Sequence, residues 1–199
     1  VTQTSQNSLS VSANTTSAAY TGSAYTAVPS FTTTGGSGNG AVTYSVVTGG
    51  SASTCALSSS AATATLTATS VGTCLIAATK DSDTNYLSAT TATPLTFTFT
   101  ASAQTITFTG PTSKTYGDLA FTVSPTASSS LTVALASTTS SVCTVSSFTV
   151  TIVAPGTCTL TADQSGNSSF SAATQVSRSF TVAQAAQATL TISATTTSA

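Results

Sequence analysis

The residues best suited to bind a metal ion lie in the segment Lys80-Asp81-Ser82-Asp83-Thr84-Asn85. Asp81, Asp83 and Asn85 alternate along the chain, and this D-x-D-x-N spacing places three oxygen ligands on one side of a turn, as in calcium-binding loops. The bidentate Glu that completes such loops is missing, because the chain contains no Glu. Calcium binding is therefore one hypothesis for this segment, and an ordinary solvated turn is the other.

The four cysteines are the second group with a chemistry of their own. Alternation with aliphatic residues places Cys55, Cys74, Cys143 and Cys158 on the core-facing side of strands. Four cysteines allow three connectivities, and the pairs 55–74 and 143–158 are favoured because each closes a short loop inside one domain. Two pairs of buried free thiols are the alternative. Zinc is less favoured, since the chain has no His and no C-x-x-C spacing.

Acid–base catalysis lacks its usual residues in this chain. Without His, a Ser/His/Asp triad is impossible. The carboxylates belong to Asp81, Asp83, Asp118 and Asp163, which are spread over several turns. The amines of Lys80 and Lys114 lie in polar turn sequences, where they should stay protonated and therefore inactive as bases. We predict no catalytic residue, no cofactor and no enzymatic activity.

The composition excludes two classes of partner. The chain is 40% hydrophobic and 4% charged, with a net charge of −1, whereas an average soluble domain is about 25% charged. Such a chain has no basic surface for nucleic acid, and no apolar run is long enough to span a bilayer. We expect no nucleic acid partner and no membrane span in this segment. Neither end resembles a signal peptide, so an export signal is expected elsewhere.

Hydrophobic residues alternate with threonine over much of the chain, as in Phe148, Val150 and Ile152. A period of two is typical of strands with one buried face. In the second half this alternation predicts seven strands, separated by turns rich in Gly, Pro and Asn. They lie near residues 104–108, 120–124, 131–136, 142–145, 148–153, 157–162 and 175–182. Seven short strands in roughly 100 residues predict an immunoglobulin-like β-sandwich.

Short motifs occur twice along the chain. Gly72-Thr73-Cys74 recurs as Gly156-Thr157-Cys158, and the cysteine that precedes each motif recurs as well. The distance between matching motifs varies, which indicates diverged repeats with insertions in their loops. The predicted domains are an Ig-like repeat A at residues 1–103 and an Ig-like repeat B at residues 104–187.

The two ends of the chain match each other. VTQTSQNSLSVSANTTSA (residues 1–18) and VAQAAQATLTISATTTSA (residues 182–199) share ten identities in eighteen positions. We therefore predict that residues 188–199 form the first strand of a following A-type repeat. The predicted fold is all-β, with two tandem immunoglobulin-like β-sandwich domains plus the first strand of a third. Alternatively, residues 182–199 insert as a donated strand into the next molecule.

Particular motifs of the chain resemble a known family. They are Ile106–Phe108, Lys114–Asp118, Val142–Val145, Ala154–Cys158 and Ser179–Val182 in repeat B, and Gly72–Cys74 and Asn85–Ala89 in repeat A. These stretches are similar to the bacterial Ig-like repeats found in tandem in very long secreted and cell-surface proteins. The resemblance implies an extracellular spacer or adhesin stalk, and it implies no catalytic site.

Two function classes follow from these observations. The first is a structural repeat unit of an extracellular stalk, fibre or filament, whose partners are neighbouring repeats or other copies of itself. The second is a binding module in which loops 33–40 or 80–86 recognise a glycan or a host surface. Asn14 and Asn167 also fit the N-glycosylation acceptor pattern, although chance matches are expected in a chain so rich in Ser, Thr and Asn.

Overall fold

A computed structural model describes residues 2–22 and 24–193 of the chain, and all regular structure within these ranges is β-strand. No helix that could cross a membrane occurs in them. The chain divides into two compact units, one comprising residues 1–104 and 165–172, the other residues 105–164 and 173–199. Segment 165–172, which the sequence assigns to repeat B, thus lies in the first unit.

In its described residues the first unit contains ten strands. They are β1 (Leu9–Ala13), β2 (Ser17–Ala19), β3 (Tyr25–Ala27), β4 (Phe31–Gly35), β5 (Val42–Val47), β6 (Ala56–Leu57), β7 (Leu66–Ala68), β8 (Gly72–Lys80), β9 (Ala89–Thr90) and β10 (Leu95–Thr100). One sheet has the order β2-β10-β8-β5, with β9 added beside β8. The remaining strands pair as β1-β4 and β3-β7-β6. Among these strands, as far as the described residues show, β2 and β10 pair in parallel and the other pairs are antiparallel.

Up to residue 193, where the described part of the chain ends, the second unit contains nine strands. They are β11 (Ile106–Thr107), β12 (Lys114–Thr115), β13 (Phe121–Thr122), β14 (Thr126–Ala127), β15 (Ala134–Ser137), β16 (Cys143–Ser146), β17 (Thr149–Ile152), β18 (Gly156–Asp163) and β19 (Val176–Ala183). The pairing orders are β12-β19-β18-β15, β11-β14 and β13-β17-β16. The β12–β19 pair is the parallel one.

The two units share one topology, apart from the added β9. In each unit the first strand is split into two pieces. One piece joins the sheet formed by the third, sixth and seventh strands of an immunoglobulin-like sandwich, and the other piece pairs with part of the second strand. The rest of the second strand pairs with the fifth, which pairs with the fourth. Each unit is therefore an immunoglobulin-like β-sandwich, which confirms the predicted all-β fold class. Of the predicted strand at 188–199, residues 188–193 form no strand in the structure, and residues 194–199 lie outside the described residues.

The core follows from the alternation along the longest strands. In β18, Cys158, Leu160 and Ala162 are completely buried, the intervening Thr159 is half-buried, and Thr161 is also largely covered, at 8% exposed. The neighbouring strand β19 adds Phe180 and Val182 to the same core. Burying one face of each strand excludes apolar surface from water and leaves hydroxyl groups exposed, so period-two sequences become sandwich layers.

The strand predicted at 120–124 is shorter in the structure than in the sequence-based prediction. It ends at Thr122, and the chain continues past Pro125 into β14, which pairs with a different strand. In the first unit, Pro29 separates β3 from β4 in the same way. Proline has no N–H to donate to a sheet ladder, so each proline marks the point where one strand changes partner.

The repeated Gly-Thr-Cys motif begins the long strand in each unit. Gly72 has φ of +132°, and a Cβ there would lie 2.6 Å from Ala52 N. Gly156 has φ of +141°, and its Cβ would lie 3.0 Å from a methyl group of Val142. L-residues rarely adopt these angles. Glycine therefore allows the chain to enter the strand at the position that places the following cysteine in the core.

Candidate functional site

Each unit contains one disulfide bond. Cys55 is bonded to Cys74, and Cys143 is bonded to Cys158, the two pairs favoured by short loop closure. Cys74, Cys143 and Cys158 are completely buried, whereas Cys55 is half-buried. Each bond joins the long central strand, β8 or β18, to the region of a short strand in the facing sheet. The described part of the chain has no free cysteine.

The Asp83 carboxylate is the centre of a hydrogen-bond network in the first unit. Its Oδ2 accepts a bond from the backbone N–H of Asn39 at 2.7 Å. Its Oδ1 accepts bonds from the backbone N–H groups of Asn85 and Tyr86 at 2.8 and 2.9 Å. The carboxylate thus closes its own turn and also ties that turn to the glycine-rich loop before β5.

The three residues considered as calcium ligands have different surroundings. Both oxygens of Asp83 accept backbone hydrogen bonds, which compete with a cation for the carboxylate lone pairs. Asp81 and Asn85 are exposed, and the Asp81 N–H donates to Ala41 O at 2.8 Å. Within residues 2–22 and 24–193, no group of three or more His, Cys, Asp or Glu could hold a metal ion. Asp83 is explained as a loop cap, and calcium binding stays a prediction.

The hydrogen bonds to Asp83 predict how these loops respond to acid. The N–H groups of Asn39 and then Asn85 hold the pKa of Asp83 below its usual value. Because the folded-state pKa is lowered, the stabilisation is complete above the ordinary aspartate pKa and is lost as pH falls through the folded-state value. In an NMR titration from about pH 6 to about pH 2, the amide signals of Asn39 and Asn85 should move only below the ordinary aspartate pKa.

Two substitutions separate this cap from a general effect of acid. Asp83→Asn keeps an oxygen that can accept the turn bonds but does not titrate, so the loop amide signals should stay flat in the same pH range. Asp83→Ala removes every acceptor and should shift the Asn39 and Asn85 signals at all pH values. A midpoint at or above the ordinary aspartate pKa in the unmodified chain would contradict the role given to Asp83.

The loops considered for glycan binding, 33–40 and 80–86, meet in the first unit. Gln6 joins them from a third segment. Its Oε1 accepts the N–H of Ser37 at 3.1 Å, and its Nε2 donates to Asp81 O at 3.1 Å. The two loops are therefore held together by hydrogen bonds from the start of the chain. Glycan binding at this surface stays a prediction.

The two candidate glycosylation sites are exposed, and both act as acceptors in turns. Asn14 Oδ1 accepts the N–H of Ser30 at 2.8 Å. Asn167 Oδ1 accepts the N–H groups of Ser169 and Phe170 at 2.8 and 2.9 Å. These bonds explain why asparagine occurs at both positions, and glycosylation itself stays a prediction.

Segments 83–87 and 167–171, called the aromatic loops below, share one local structure. Each begins with an Asp or Asn whose Oδ1 accepts the backbone N–H groups of the residues two and three positions later. The residue three positions later is aromatic in both, Tyr86 in the first loop and Phe170 in the second. A short extended segment forms a parallel bridge with each loop, through Thr4 for the first and Ser102 for the second. Both loops belong to the first compact unit.

A glutamine two residues after each bridging residue binds the same loop. Gln6 Nε2 donates to Leu87 O at 2.8 Å, and Gln104 Nε2 donates to Ser171 O at 2.7 Å. Gln6 aligns with Gln187 in the match between the two ends of the chain, whereas Gln104 was not recognised from the sequence. The signal that could have revealed it is a small residue followed two positions later by Gln, which occurs three times at the starts of the predicted domains.

The chain matches no protein-family model, and no curated protein matches it in sequence. Solved structures with a similar fold include the titin domains Z1Z2 in complex with telethonin. That likeness has a TM-score of 0.43 at 17% identity and covers 92% of this chain and 100% of the titin chain.

Two further similar structures come from intimin. The C-terminal 282-residue fragment, in complex with the intimin-binding domain of the translocated intimin receptor, is 18% identical with a TM-score of 0.30. That match covers 87% of this chain and 63% of the fragment. The D0–D1 domain of intimin is 18% identical with a TM-score of 0.28, covering 84% of this chain and 96% of the intimin chain. At these values the likeness concerns the fold alone.

Proposed function

We propose that this chain is a non-enzymatic structural repeat unit of an extracellular stalk, fibre or filament of the adhesin type. The observation that carries the proposal is that both units repeat one strand order and one disulfide. A contact between a glutamine and the carbonyl of an aromatic loop also occurs twice, through Gln6 and Gln104. Arrays of one domain type are built from such units. We place the units among the bacterial Ig-like repeats that their motifs resemble.

The exposed end of the chain supports continuation into a further A-type repeat. Leu190 and Ile192 are 86% and 88% exposed. In the match between the two ends they correspond to Leu9 and Val11, and Leu9 is only 7% exposed. Pairing of residues 188–199 in a following sandwich would bury both apolar side chains and remove their contact with water. The partners in this proposal are neighbouring repeats or other copies of the chain.

Composition and cysteine chemistry support the same assignment. Isolated sandwiches usually carry Lys and other charges that prevent their edge strands from pairing with other molecules, and this chain is only 4% charged. An array gives such edges permanent neighbours. Disulfide bonds persist in oxidising compartments outside the cytosol, so the two bonds favour an extracellular or cell-surface location.

A denaturing gel of the protein from its native source tests the array. After boiling and reduction, a covalent array should run as a species many times larger than the 19.4 kDa of this chain. Because reduction breaks any disulfide between chains, a species that keeps this size is not held together by disulfides, as expected of a continuous polypeptide. Discrete bands near the mass of this chain would contradict a continuous polypeptide and favour separate chains joined by a donated strand.

A further inference from the structure

The second aromatic loop covers a tyrosine in the first unit. The rings of Tyr20 and Phe170 make an edge-to-face contact, with centroids 5.5 Å apart. The Tyr25 hydroxyl donates to Ser168 O beside that contact. Edge-to-face aromatic pairs of this kind add to the free energy that burial contributes. The tyrosine turn that follows β2 therefore has an aromatic loop as its partner.

Tyr116 occupies the equivalent position in the second unit. The Tyr20 N–H donates to Thr100 O, where β10 ends, at 2.9 Å, and the Tyr116 N–H donates to Ala183 O, where β19 ends, at 2.8 Å. Each tyrosine directly follows the short strand that pairs in parallel with the last strand of its unit. The surroundings differ, because Tyr116 is 47% exposed and the nearby Leu119 is 89% exposed.

The segment after β19 contains a glutamine at the position equivalent to Gln104. Gln104 lies four residues after Thr100, and Gln187 lies four residues after Ala183. Gln104 donates to the carbonyl of Ser171 in the second aromatic loop, whose Phe170 packs against Tyr20. Gln187 is exposed. An uncovered tyrosine turn and an exposed glutamine thus occur together at the end of the second unit.

We propose that Tyr116 and Leu119 form a docking surface for the aromatic loop 83–87 of a neighbouring A-type unit. In solution, a second copy of this chain supplies that loop. The occupant is this loop because an A-type repeat follows repeat B in the proposed array. Its aromatic residue, Tyr86, corresponds to Phe170 and should meet the Tyr116 ring edge to face. The inference rests on the proposed array for the identity of the neighbour.

Photo-crosslinking of the full 199-residue chain tests this contact. Leu119 is replaced by p-benzoylphenylalanine, a change that an 89% exposed side chain should tolerate. Isotope-labelled and unlabelled copies are mixed at about millimolar concentration, because so small an interface binds weakly. Trypsin cleaves after Lys80 and Lys114, so the expected product joins residue 119 of one copy to peptide 81–114 of another, with the crosslink within 83–87.

Substitutions in the loop distinguish specific docking from chance collisions. Tyr86→Ala should lower the yield of this crosslink roughly tenfold, whereas Tyr86→Phe keeps the ring and should retain it. The same photoreactive residue at Val153, which is 45% exposed, should not select peptide 81–114. The absence of the crosslink, or equal yields from the Ala and Phe variants, would overturn the proposal.

The crosslink and the denaturing gel fail independently. A large covalent species on the gel without a crosslink to loop 83–87 would leave the array standing and remove this docking surface. A specific crosslink together with bands near the mass of one chain would keep the surface and remove the continuous polypeptide.

Discussion

Replacing Cys143 and Cys158 by alanine is expected to lower the free energy of unfolding of the second unit by about 3 kcal/mol. The bond closes a 15-residue loop and so restricts the unfolded chain. Both residues are completely buried, and their loss also removes packing from the core around Val150 and Leu160. Urea unfolding followed through the amide NMR signals of the second unit measures the change.

The other disulfide provides a matched comparison. Alanine at Cys55 and Cys74 opens a loop of 19 residues and should destabilise the first unit by a similar amount, while the second unit keeps its urea midpoint. In the unmodified chain, a mild reductant should open this bond first, because Cys55 is half-buried and Cys143 and Cys158 are not accessible. Equal rates of reduction, or an unchanged midpoint in both double variants, would contradict these expectations.

Phe97→Ala is expected to lower the free energy of unfolding of the first unit by roughly 3–5 kcal/mol. Phe97 is completely buried in β10, opposite Cys74, and its ring lies 5.2 Å from that of Phe99. Removing the ring leaves a cavity between the sheets that the surrounding strands can fill only in part. Small domains are stable by about 5–15 kcal/mol, so the first unit should lose a large share of its stability.

An exposed apolar residue in the same unit is the control. Val28 is 59% exposed, and Val28→Ala should change the unfolding free energy by less than about 0.5 kcal/mol. Both variants are compared by urea unfolding with amide NMR signals from each unit. A similar loss for Val28→Ala and Phe97→Ala, or equal losses in both units, would show that the assigned core does not carry the stability.

Alternation was enough to predict the strands that bury one face. Phe148, Val150 and Ile152 were expected on a core-facing side, and β17 buries Val150 completely while Phe148 and Ile152 are half-buried. The candidate disulfide pairs were equally accessible to sequence reasoning. Both predictions depend on residues close together in the chain, where strand geometry and loop length restrict the alternatives.

The pairing between strands could be predicted less well from the sequence. The short strand β12 was not predicted, because two residues carry no measurable alternation, and its partner β19 lies more than sixty residues away. The change of partner at Pro125 was also missed, although the four-residue spacing from Phe121 to Pro125 repeats that from Tyr25 to Pro29. Such pairings depend on sheet register, which distant segments establish together.

By itself, the sequence determined the all-β class, the immunoglobulin-like sandwich and the residues facing its core, because each follows from local period-two alternation and turn chemistry. Only the tertiary structure decided that the Asp83 carboxylate caps two loops and that segment 165–172 lies in the first unit. The D-x-D-x-N spacing is compatible with a calcium loop or a turn. One of the N–H groups that bind the carboxylate belongs to Asn39, which is distant in sequence and is brought near only by the fold.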